Sequence, residues 1–85
     1  MKSLMLGQED LLVRQAKQVY ANGVQMIKSS REISIDCQQV DQVDSTGIAV
    51  LCAWWQYAST RNIVCSFNLS TTVQAALQQH GIELP

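Results

Sequence analysis

The order of elements along the chain predicts a small α/β domain with a mostly parallel sheet of about four strands and helices packed against it. Three observations carry this. Short β-branched runs alternate with longer stretches of helical periodicity, strand and helix follow one another without a break in the pattern, and the connections are short. Strands separated by helices of this length pair in parallel, through crossovers of one hand.

Leu4-Met5-Leu6 stops at Gly7 and reads as a strand entering a turn. Leu12, Ala16, Val19, Tyr20, Gly23 and Ile27 then recur at helical spacing, with Arg14, Lys17, Gln18, Gln25 and Lys28 mostly opposite. They define an amphipathic helix from about Leu11 to Lys28, broken at Ser29-Ser30. From Glu32 to Cys37, Ile33 and Ile35 alternate with Ser34 and Asp36, the period of a strand. Gln38 to Val43 is a polar connection with Val40 and Val43 as apolar anchors. Asp44-Ser45-Thr46-Gly47 opens a second helix that runs to about Thr60, and Ile63 to Leu69 is the next strand. Ser70 is placed to cap a third helix with Val73, Ala76 and Leu77 on its inner face, and Gly81 stands where a terminating glycine belongs. Ile82-Glu83-Leu84 is expected as a last short strand or an extended tail.

Residues 1–85 make one domain, short enough to bury only about 60% of its unfolded surface. Docking on a partner would therefore add usefully to its stability. Apolar residues are 47% of the chain and charged residues 15%, the composition of a folded protein. Net charge is −1 and the six Lys and Arg are scattered, so no basic stripe exists to neutralise nucleic acid. The longest apolar run, Ile48 to Trp55, is too short to span a bilayer, and the first six residues are too brief and too soon polar for a signal peptide. Cys37, Cys52 and Cys65 match no metal or disulfide framework, which fits a reducing cytoplasm. No metal or other cofactor is expected.

The segment Val40-Asp41-Gln42-Val43-Asp44-Ser45-Thr46-Gly47-Ile48-Ala49-Val50-Leu51 resembles the signature of the STAS family, in which a strand and loop lead into Asp-Ser-Ser/Thr-Gly-Leu/Ile and an apolar helix. Ile33-Ser34-Ile35-Asp36 is similar to the family's central strand. Gly7 to Asp10 is similar to a turn that often carries a second acidic residue, and Phe67-Asn68-Leu69 through Gly81-Ile82 to its C-terminal third. One N-terminal strand stands here where a pair is usual. Within the family, the Ala53-Trp54-Trp55 helix and the Asn-Leu entry to the last helix are similar to the MlaB-like STAS subunit of the Mla phospholipid-transport ABC complex. Anti-sigma factor antagonists are the other branch, with a phosphorylatable hydroxyl at the position of Thr46. The first resemblance implies a cytoplasmic, non-enzymatic subunit that supports an ABC-type ATPase at the inner face of the membrane, in maintaining outer-membrane lipid asymmetry. The second implies a Ser/Thr phosphoswitch that sequesters an anti-sigma factor kinase.

A helix start exposes unpaired N–H groups and about half a unit of positive charge. Asp44 or Ser45 can cap those donors, and Gly47 lets another backbone come close. Phosphate on Thr46 or Ser45 would add about −1.5 to −2 charges there. Asp44 and Ser45 as a plain helix cap is the bland alternative. Farther along, Ile48, Leu51, Cys52 and Trp55 form one stripe, sufficient to cover a sheet. Val50, Trp54 and Tyr57 lie on another side near Thr46 and Arg61. Thr46, Val50, Trp54, Tyr57 and Arg61 are therefore expected to meet a protein partner, or a second copy of the chain, through Trp54. Otherwise Trp54 folds over a neighbouring helix. Asp10 is a secondary acidic candidate. His80, the lone histidine, is expected at a helix end and not beside Ser45, so catalysis is not expected.

Overall fold

A computed structural model describes residues 2–84. The elements are β1 (Lys2–Met5), α1 (Val13–Lys28), β2 (Glu32–Cys37), α2 (Ser45–Thr60), β3 (Val64–Leu69) and α3 (Thr71–Gln79). The three strands pair in parallel in the order β1-β2-β3, so the α/β class and the parallel sheet are as the sequence predicts. With strands taken in sequence order, right-handed crossovers set α1 and α2 on the same face of the sheet. Alternation along β2 sends Ile33, Ile35 and Cys37 inward, beside Cys65, Phe67 and Leu69 of β3.

The other face carries an in-register row of Ser3, Ser34 and Ser66, and a second row of Met5, Asp36 and Asn68. Asn68 donates to Ser34 Oγ at 3.2 Å. A parallel sheet ordinarily has both faces covered. Here the serines, Asp36 and Asn68 make one face polar, with Met5 exposed on the edge strand.

Three strands are present among the described residues, not about four. Of the two forms expected for Ile82–Leu84, the segment takes the tail and not the strand, because the end of α3 takes its first amide. Gly81 adopts φ +68°, its N–H donates to Gln78 O at 3.0 Å, and Ile82 N–H donates to Leu77 O at 2.9 Å. This pair of bonds is the Schellman arrangement, which folds the tail back over α3. α1 begins two residues later than expected, since Leu11 is drawn into a parallel bridge with Val43. β3 begins at Val64, one residue after Ile63, whose amide closes the end of α2 on Ala58 O at 2.9 Å.

Candidate functional site

The segments 6–12 and 38–44 leave the carboxyl ends of β1 and β2 side by side, the edge at which open α/β sheets place their sites. Backbone bonds zip them together. Gln8 O accepts from Asp41 N at 3.2 Å and Gln42 N at 3.4 Å, and Leu11 O accepts from Asp44 N at 3.3 Å. Gly47 is where the two cross: a Cβ there would run into the carbonyl of Leu11. The glycine is needed for this close approach.

Asp44 is the N-cap of α2, its Oδ1 accepting from Gly47 N at 3.0 Å. Its Oδ2 accepts from Val13 N, in the first turn of α1, at 2.8 Å. These bonds, Gly47 first and then Val13, hold the Asp44 carboxyl below its ordinary value against the opposing effect of burial. Ser45 follows, exposed, and Thr46 is half-buried. Asp10 lies in the turn after β1, where its Oδ2 accepts from Gly7 N at 2.7 Å. That bond shapes the turn and engages the carboxylate locally. His80 is the exposed C-cap residue of α3.

The expected docking face on α2 needs correction. Trp54 is fully buried at 0% exposure and Val50 is buried at 7%. The Trp54 indole lies against Gly23 of α1, where a Cβ would overlap its ring carbons, and donates from Nε1 to Tyr20 O at 3.1 Å. Trp54 and Val50 are thus core residues and cannot meet a partner directly. Tyr57 is half-buried, with the exposed Arg61 guanidinium 3.7 Å over its ring. Meanwhile Trp55, assigned by spacing to the sheet side, is 40% exposed, and Cys52 is half-buried. The two tryptophans have exchanged roles. The reason is that α2 has two neighbours, the sheet beneath and α1 beside it. Its buried arc runs through Ile48, Leu51, Trp54 and Ala58.

What the sequence reading missed is the side left outside: Ser45, Ala49, Gln56 and Ser59 are exposed and Ala53 half-exposed. From Ser45 to Thr60 there is no Asp, Glu, Lys or Arg. A solvent-facing helix side is usually rich in charge, and the missing charges are a signal that was there to be read.

A family model described as Mlab, STAS domain, matches residues 8–83. The chain belongs to the MlaB-like STAS domain family. No curated protein matches it closely enough to be named as a relative. In this STAS domain the family motif lies at the junction of two loops and two helix starts. Two open depressions of about 430 and 250 Å³ lie elsewhere, along α3 and the tail at Gln78, Ile82 and Glu83, and neither includes a motif residue. Among the described residues no three acidic, histidine or cysteine side chains gather as a metal site, and no helix is long and apolar enough to cross a membrane.

Proposed function

We propose that this STAS domain is a non-enzymatic, cytoplasmic docking subunit that binds and supports the ATPase of a phospholipid-transporting ABC complex, serving outer-membrane lipid asymmetry. The observation that carries the reading is the uncharged outer side of α2, with hydroxyls at its start and a partly exposed Trp55 on its flank. Interface centres are depleted of charge and enriched in aromatic residues, and the small side chains of Ser45, Ala49, Ala53 and Ser59 let a flat partner approach closely. The MlaB-like family match supports the choice of partner. Nucleotide, Mg²⁺ and lipid belong on this reading to the complex. Thr46 and Ser45 sit at the rim of the docking side, while Tyr57 and Arg61 border it at the far end of the helix.

The test is calorimetric titration of the purified ABC-type ATPase with the parent domain and with Ala49→Arg. The arginine projects from an exposed helical position, so the thermal midpoint should stay within a degree or two of the parent's. Affinity should fall at least about tenfold, ~1.4 kcal/mol. Equal affinities would remove the outer side of α2 from the interface. The second reading, an anti-sigma factor antagonist, draws on the exposed Ser45 beside Thr46 at a helix start. It requires phosphate transfer to one of them by a cognate kinase with ATP.

A further inference from the structure

The sheet ends in two edge strands, β1 and β3, and they are guarded differently. β1 is four residues long and begins at Lys2; a short strand with a lysine discourages pairing. β3 has neither guard. It runs for six residues, Val-Cys-Ser-Phe-Asn-Leu, and no Asp, Glu, Lys or Arg occurs from Asn62 to Gln79. An uncharged β-forming stretch without Pro or Gly pairs readily with another strand. Its free side can be assigned. Val64 N–H donates to Arg31 O at 3.0 Å, so Val64, Ser66 and Asn68 turn their backbone to β2. By alternation Cys65, Phe67 and Leu69 turn theirs to the open edge. Among the described residues no acceptor meets these three amides.

We propose that β3 pairs with β3 of a second copy, antiparallel about a two-fold axis at Phe67, joining two three-stranded sheets into one. An extended strand offers donors and acceptors at the spacing of that edge. A second copy suits it because the pairing is self-complementary. With Phe67 opposite the partner's Phe67, Cys65 stands opposite the partner's Leu69, and Ser66 opposite the partner's Asn68. The half-buried aromatic rings meet on the helix side, and hydroxyl meets amide on the polar side. No charge opposes another along the strand. Leu69 also lines the depression of about 250 Å³ with Leu77 and Ile82, so apolar surface continues past the strand's end. Pairing along one short strand buries less than a standard interface, so the dimer is weak and concentration-dependent. It uses no residue from the outer side of α2, so it stands or falls apart from the docking reading.

Sedimentation equilibrium under reducing conditions, from about 10 to about 500 μM, should show monomer and dimer in exchange. Over the same range, amide hydrogen exchange by NMR should slow about fivefold or more at Cys65, Phe67 and Leu69, and stay level at Ser3 and Met5 on the other edge. A protein that remains monomeric at the highest concentration, or a dimer that leaves the three β3 amides unprotected, would overturn the proposal. Two double variants test the register at exposed positions. Ser66→Lys with Asn68→Lys sets like charges opposite each other across the two-fold axis and should weaken the dimer at least about tenfold. Ser66→Glu with Asn68→Lys sets opposite charges there and should stay within about threefold of the parent. Both lose the Asn68–Ser34 hydrogen bond alike, so equal affinities would refute the pairing. The exchange measurement on the parent needs no substitution and decides the matter if either variant fails to fold.

Discussion

Gly23 and Trp54 constrain each other, and the pair tests where Trp54 belongs. The indole occupies the space a side chain at position 23 would need, and its N–H is satisfied by Tyr20 O. Gly23→Ala overpacks the contact between α1 and α2 and should cost about 1–3 kcal/mol in urea unfolding. Trp54→Phe removes the indole hydrogen bond, worth about 1 kcal/mol, but shortens the ring that collides. The double variant should therefore be more stable than the sum of the two single losses predicts, with a coupling on the order of 1 kcal/mol. Simple additivity would mean that the two do not touch. Trp54→Ala should cost about 3–5 kcal/mol; parental stability in that variant would return Trp54 to the surface. A helical wheel could not settle this in advance. It shows that α2 is apolar on two sides, but only the placement of α1 on the same face of the sheet says which side is a second core.

α2 and α3 end in the same way. At α2, Asn62 has φ +57° and Ile63 N–H reaches back to Ala58 O; at α3, Gly81 and Ile82 repeat the pattern on Leu77. A Cβ at Gly81 would meet nothing within 4 Å, so Gly81→Ala isolates the backbone strain of the left-handed conformation. The expected loss is about 1 kcal/mol, or a midpoint about 4–8 °C lower in thermal unfolding monitored by circular dichroism. No loss would mean that α3 ends differently in solution. The elements whose cues are local were legible in the sequence. β2 has the bounds its alternation gives, α2 and α3 start after Asp44 and Ser70, and Gly81 terminates α3. What escaped was set by distant partners. Val43 holds Leu11 out of α1, and Asp44 caps that helix across 31 residues. Between the short strand and the tail expected for Ile82–Leu84, only the tail is compatible with the end of α3, because the amide of Ile82 is already taken by Leu77 O.

In the whole molecule, one layer of helices covers one face of a three-stranded sheet, with the motif at the carboxyl edge between them. Acid and base attack this arrangement at different places. At the edge, Asp44 has a carboxyl pKa below its ordinary 3.8 when folded. Its contribution is fully present above pH 3.8 and is lost as pH falls through the lower, folded value. Beneath the helices, burial pushes the thiol of Cys37 from 9.0 to about 12, helped by Asp36, and that of Cys65 from 9.0 to about 11. A thiol with a raised pKa works the other way. Its contribution is complete below pH 9.0 and disappears as pH rises through 11 to 12. The stability these three groups supply is therefore constant across neutral pH and falls at both ends. Urea unfolding under reducing conditions from pH 2.5 to 11 should show both limbs. Asp44→Asn should flatten the acid limb only, and Cys37→Ala with Cys65→Ala the alkaline limb only. If the acid limb survives in Asp44→Asn, other carboxylates carry it and the doubly bonded Asp44 is not the acid-sensitive point of the fold.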